Sequence, residues 1–161
     1  MQPNPPQPGF PLPKPRARAN AAAAVIAGAL ALLTVVMLVW FVLYNVVHAN
    51  GPTGHWSGVE VQNVVFGVIS AGALVVAAGF TFARRISGAW TLCGLCALFA
   101  VAMIFATPLL RGTPLDAQLK WIFGFDKGNG VAIALAVIFA VLTASMAAIA
   151  GSVRSYGKAR G

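Results

Sequence analysis

Four long stretches of apolar residues, separated by short polar or basic segments, make up most of the chain. They cover about 21–47, 61–83, 89–110 and 130–153, and each is apolar on all sides. The first, about 27 residues, would measure about 40 Å as a helix at 1.5 Å per residue. All four reach the ~20 residues needed to cross a hydrocarbon core about 30 Å thick. A barrel strand is about 9–11 residues of alternating polarity, roughly half these lengths. Each run is therefore predicted as a membrane-spanning α-helix, which satisfies its backbone polar groups internally where water is absent. Basic residues precede the first run, as in a signal peptide, but a signal h-region is only about 7–15 residues long, so an uncleaved anchor is expected.

The segments between the runs are short. Residues 1–20 carry Pro at 3, 5, 6, 8, 11, 13 and 15, which fixes φ, removes donors and predicts polyproline II or disorder. The PxxP spacings Pro5–Pro8 and Pro8–Pro11 suit aromatic grooves, but so proline-dense a segment produces them by composition, and a solvated tether is expected. A loop containing Gly51, Pro52, Gly54 and Gly58 joins the first two spans, and Arg84-Arg85-Ile86-Ser87-Gly88 forms a tight turn after the second. The segment 111–129 sets Leu115, Leu119, Trp121, Ile122, Phe123 and Phe125 among Asp116, Gln118 and Lys120. It reads either as a short amphipathic helix along the membrane interface or as a loop folded back over the bundle. The expected organisation is a disordered Pro-rich tail (1–20), an all-α integral membrane four-helix bundle (21–153) and a basic tail (154–161).

Composition agrees with this pattern: 9% of the residues are charged, against about 25% in a soluble domain. The net charge of +8 would by itself suggest nucleic acid, until the charges are placed. With the N-terminus inside, Lys14, Arg16, Arg18, Arg84, Arg85, Arg154, Lys158 and Arg160 are cytoplasmic, and Arg111, Lys120 and Lys127 are outside. All three acids, Glu60, Asp116 and Asp126, also fall outside. Such asymmetry in short loops sets orientation, so both termini are predicted to be cytoplasmic. The basic charge is thereby absorbed as a topology determinant, and no nucleic-acid partner is expected. Trp40 and Tyr44 near the outer end of the first span, and Trp90 near the inner end of the third, suit the headgroup level.

Lipid tails are as apolar as leucine, so small residues and dispersion must hold such helices together. In the fourth span Ala132, Ala136, Ala140, Ala144 and Ala148 repeat at i, i+4; in the second, Gly67 and Ala71 repeat at four residues and Gly72 and Gly79 at seven; in the third, Cys93, Ala97 and Ala100 share a face. These ridges are expected to pack the four spans on one another, with any remaining face available to a second copy or a larger complex.

Candidate chemistry is sparse. Cys93-Gly94-Leu95-Cys96 places two sulfurs on one helix face, and a CxxC at a helix start can be redox active. Four helices with CxxC are similar to the quinone-linked disulfide-generating membrane enzymes, but those present their CxxC toward the oxidising outer face and use a second cysteine pair, whereas this chain has two cysteines in all, near the cytoplasmic end of the third span. A small residue in a packing stripe is the simpler reading. His48, His55 and Glu60 gather in the first outer loop without a helical His spacing or an accompanying cysteine, so no metal is expected there. The spans hold no Asp, Glu, Lys, Arg or His, which argues against a proton-coupled exporter of the four-span multidrug type, because those rely on an intramembrane Glu. Asn63, Ser70, Thr81, Thr91, Thr107, Thr143 and Ser145 remain as candidates for lining a neutral pore, although hydroxyls on apolar helices commonly bond their own i−4 carbonyl.

In its tail, four spans and short basic turns, the chain resembles the small, uncharacterised, proline-tailed four-span membrane proteins of actinobacteria. That resemblance implies a plasma-membrane location and lends no activity. The reading the residues favour is a non-enzymatic assembly or accessory component of the cell envelope, embedded in the lipid bilayer, without a cofactor. A small transporter or channel for a neutral or apolar solute, and a thiol redox protein using Cys93 and Cys96, are the alternatives.

Overall fold

A computed structural model describes residues 17–48, 56–125 and 128–156, without the side chains of 154–156. The Pro-rich segment 1–16, His55, Asp126, Lys127, Lys158 and Arg160 lie outside the described residues. The fold is all-α, with four long helices: α1 (Ala21–His48), α2 (Gly58–Phe82), α3 (Ile86–Arg111) and α5 (Gly128–Ser152). All four are long and apolar enough to cross a membrane, which fits a multi-pass membrane protein. A short helix, α4 (Leu115–Phe123), and two three-residue strands, β1 (Ala17–Ala19) and β2 (Arg154–Tyr156), complete the described chain.

Local chemistry explains the helix ends. Asn20 Oδ1 accepts from the Ala23 N–H and starts α1. Ser57 and Glu60 form a reciprocal capping box at α2. α3 continues through Pro108 and stops at Gly112, whose φ of 65° is left-handed and whose N–H donates to the Pro108 carbonyl. The α2–α3 turn needs a left-handed residue as well, and Arg84 adopts φ 56° there without being glycine. Its strain is offset by contacts across the fold: Arg84 Nε and Nη2 donate to the Ala19 carbonyl, and the Ala19 N–H donates to the Arg84 carbonyl.

The helices close into a four-sided ring in the order α1, α2, α3, α5, with α4 laid on α3 and α5. α5 is the most buried of the four. On α1 the buried positions Ala24, Ala27, Ala31, Thr34, Leu38, Phe41 and Asn45 alternate steps of three and four, the seam of a left-handed helix pair. α5 follows the same rule through Ile133, Ala136, Ala140, Thr143, Ala147 and Ala150. The expected alanine ridge of the fourth span therefore follows the seam only in part: Ala132, Ala136 and Ala140 are fully buried, and Ala144 and Ala148 half-buried. A strict i, i+4 row advances about 40° per step around the helix and leaves any straight seam after three or four steps.

The two termini meet. β1 and β2 pair antiparallel, with Ala17 opposite Tyr156 and Ala19 opposite Arg154. The Asn20 N–H donates to the Ala150 carbonyl, so this clip joins the start of α1 to the end of α5. Residues 17–19, counted in the tail at the sequence level, are thus an ordered strand. β1, β2 and the Arg84–Arg85 turn share one end of the bundle, called the basic end below. Glu60, Asp116, Arg111 and Lys120 lie at the opposite end. There α4 is both a helix and folded back on the bundle: Ile122 is buried and Gln118 Nε2 donates to the Met103 carbonyl at 3.0 Å, while Trp121 and Phe123 stay exposed.

Candidate functional site

Three of the four seams between neighbouring helices hold the buried core, and α2 against α3 is the open one. The core is built mainly of alanines around larger side chains such as Leu38, Leu92 and Ile133. Along α2 and α3, small residues (Ala73 and Ala77 on one helix, Gly88, Ala102 and Ala106 on the other) stand between larger ones such as Phe66, Phe80, Leu95 and Phe99 and leave gaps. The result is a chain of adjoining cavities running the length of the seam. At the basic end the cavity is about 550 Å³ and is lined by Arg85, Ser87 and Thr91 together with Ala73, Val76 and Phe80. It continues, through the shared Ala73 and Leu95, into an apolar cavity of about 310 Å³ under Ile69, Leu98 and Phe99. Phe66 and Phe99 stack across the seam with ring centroids 6.0 Å apart. At the opposite end two smaller cavities, about 170 and 110 Å³, carry Gln62, Asn63 and Thr107. Arg111 Nη2 donates to Gln62 Oε1 there, tying the two helices together.

Arg85 is the one charged side chain lining the larger cavity. Its guanidinium lies 5.5 Å from the centroid of the Phe80 ring, a cation–π arrangement that orients it over the groove mouth. Among the described residues no acceptor takes up its guanidinium donors. α3 begins beside it with no side-chain cap on its first turn.

A second feature of α2 is its outward face. Val65, Ile69, Gly72, Val76 and Gly79 step by four and three, and all five are exposed. Nothing lies within 4 Å of a Cβ built at Gly72 or Gly79. Neither glycine is in close contact with another helix, although Gly72 also lines the larger α2–α3 cavity. Gly67 behaves differently, because a Cβ there would meet Val42 Cγ2 at 2.5 Å, and Ala71 is half-buried in the same α1–α2 seam. The stripe read from the sequence as one set thus divides into an internal pair and an external pair.

The remaining candidates fall as follows. Cys93 is half-buried and Cys96 fully buried, and both are free thiols. Cys93 lies seven residues into α3, about 10 Å from its start, beyond the first turn in which a helix dipole acts. Of the other two residues on their face, Ala97 is exposed and Ala100 buried. His48 is the last residue of α1; its ring stacks on Tyr44 at 4.0 Å and its Nδ1 sits 2.9 Å from the Tyr44 carbonyl. Glu60 is engaged in the α2 cap. Among the described residues no three of His, Cys, Asp and Glu gather as a metal set. Thr81, Thr143 and Ser145 donate to Ala77, Phe139 and Val141, each four residues back. Asn63 Nδ2 donates to Asn45 Oδ1 at 3.4 Å, and Asn45, buried near the end of α1, donates to the Phe41 carbonyl at 2.7 Å.

Two features escaped the sequence reading. Asn45 was legible as the lone amide in the first apolar run. The groove was not, because it depends on which small residues of α2 and α3 meet. Compared with protein-family models, curated proteins and solved structures, the chain matches none.

Proposed function

We propose that this multi-pass membrane protein is a non-enzymatic assembly component of a bacterial plasma membrane, acting by lateral contact with a second copy or a larger envelope complex. The observation that carries the reading is the outward face of α2, where Gly72 and Gly79 leave notches that no other helix of the bundle fills. In lipid, close backbone approach at small residues is what drives helices together. The positive-inside rule supports an orientation with the basic end, and hence both termini, in the cytoplasm. The transporter and redox alternatives draw less support. The hydroxyls at Thr81, Thr143 and Ser145 are spent on i−4 carbonyls, and Cys96 is buried in the core.

The test uses Gly72→Leu and Gly79→Leu. Nothing lies within 4 Å of a Cβ at either position, so the bundle has room for both changes and the monomer should fold as before. In mild detergent the native protein is expected to elute as a complex, and the double variant as a single chain freed of partners. An unchanged size and unchanged co-purifying proteins in the double variant would overturn the proposal. Ala140→Leu is unsuited to this purpose, because Ala140 is fully buried between helices and the change would report on the bundle itself.

A further inference from the structure

The α2–α3 groove opens on the bilayer, and its two ends differ in chemistry. From Arg85 to Leu95 is ten residues, about 15 Å of helix. That matches one leaflet of a hydrocarbon core about 30 Å thick. Over this depth the trough is lined by Ala73, Val76, Ala77, Phe80 and Leu95 and takes an apolar chain, and its mouth presents Arg85 with the hydroxyls of Ser87 and Thr91. We propose that this half of the groove binds one acidic phospholipid, with the phosphate held at Arg85 and one acyl chain lying between α2 and α3.

Charge selects the headgroup. Arg18, Arg84 and Arg85 share the basic end, while among the described residues the acids Glu60 and Asp116 are at the other end. A zwitterionic headgroup would bring its own cation into a cluster of arginines, and a glycerol headgroup would not. Basic pockets between membrane helices favour anionic lipids for this reason. Phe80 orients the guanidinium, so less side-chain freedom is lost when the phosphate arrives. The opposite end of the groove lacks this arrangement: its cavities are smaller and Arg111 is bonded to Gln62. Gly72 and Val76 of the outward α2 face also line this cavity, so an acyl chain and a partner helix at Gly72 would compete for the same surface, and Arg85, which is not part of that face, tells the two apart.

The test is native mass spectrometry of the delipidated full-length protein in mild detergent, with dioleoyl phosphatidylglycerol or dioleoyl phosphatidylcholine added. One phosphatidylglycerol per chain should be retained, with about a tenfold preference over phosphatidylcholine, because both lipids offer the phosphate and only phosphatidylcholine brings a cation among the arginines. Arg85→Gln should abolish that preference. Thr91→Phe, on an exposed position lining the cavity, should reduce retention of both lipids by obstructing the trough. Inorganic phosphate should not compete with the lipid at matched concentration. Equal retention of the two lipids by the native protein would overturn the proposal, as would a preference that survives Arg85→Gln. Competition by inorganic phosphate would overturn the acyl-chain part and leave a simple anion pocket. Lipid excluded by self-association at native protein concentration would also overturn it, showing a second copy in the groove.

Discussion

The ring of Phe82, at the end of α2, occupies the space that a Cβ on Gly28 of α1 would take. This contact pins α1 to α2 near the basic end. Gly28→Ala should turn the ring aside, and because Phe82 is an exposed side chain that can swing outward, the cost is expected to stay near that of an off-rotamer side chain, about 1 kcal/mol. Phe82→Ala in the same chain should remove most of that penalty. Thermal unfolding of the two single variants and the double variant in one detergent checks this, and strictly additive effects would show that the residues do not meet.

Two glycines of α3 separate packing from helix propensity. A Cβ at Gly88 would lie 2.7 Å from the carbonyl carbon of Phe80, a backbone atom that cannot swing away. At Gly94 nothing lies within 4 Å. Gly88→Ala is expected to lower the melting temperature and open the α2–α3 turn. Gly94→Ala should leave it unchanged or raise it, since Ala is favoured over Gly in a helix by up to about 1 kcal/mol. The same direction for both would contradict the packing described here.

The two glycines also show what was legible in the sequence. That 86–111 forms an apolar helix follows from residue type and length alone, as it does for the other three long helices. Which side of each helix faces inward does not follow, because a helix apolar on all sides has no polar stripe to orient it. The ridge through Ala144 and Ala148 drifted off the seam for that reason, and Gly72 and Gly79 parted from Gly67. The strand at Ala17–Ala19 was unreadable because three residues carry no periodicity; it exists because the partner Arg154–Tyr156 is brought beside it by α1 and α5. Arg85 was read as a topology charge, and only the tertiary structure places it at the mouth of a groove.

Glu60 provides a test of cap against ligand. Ser57 Oγ accepts from the Glu60 N–H at 3.3 Å, and Glu60 Oε2 accepts from the Ser57 N–H at 2.7 Å. Ser57→Ala should cost about 1 kcal/mol in thermal unfolding. Glu60→Gln should retain most of the stability, since glutamine serves the same box. A large loss from Glu60→Gln would show that the carboxylate charge has a role beyond the cap.

The cysteines differ in access, and alkylation kinetics should resolve them. Cys93 is half-buried and Cys96 is fully buried. In detergent, N-ethylmaleimide is expected to modify Cys93 slowly in the folded protein, since the thiolate is the reacting form and the site lies within a span, and Cys96 only on unfolding. Peptide mapping after timed labelling reads this directly, and equal rates at the two sites would mean that α3 does not hold Cys96 against the core.

The antiparallel clip makes the most specific claim, because it joins the two ends of the described chain. Arg18 and Ser155 are direct partners across β1 and β2. Cβ atoms of opposed residues in an antiparallel pair are about 4.5–5.5 Å apart, close enough for a disulfide to form with slight adjustment. In a Cys93→Ala, Cys96→Ala background, Arg18→Cys with Ser155→Cys should crosslink within one chain under copper–phenanthroline and shift its gel mobility. Arg18→Cys with Lys120→Cys, at opposite ends of the bundle, should not. Closing a loop of well over 100 residues stabilises the folded state by up to about 5 kcal/mol in the chain-entropy model, so the oxidised form should also melt later. If both termini are cytoplasmic, the two introduced thiols will resist a membrane-impermeant maleimide in intact cells and react after the membrane is opened. Failure to crosslink would remove the clip, whereas crosslinking with reaction from outside the cell would keep the clip and invert the orientation.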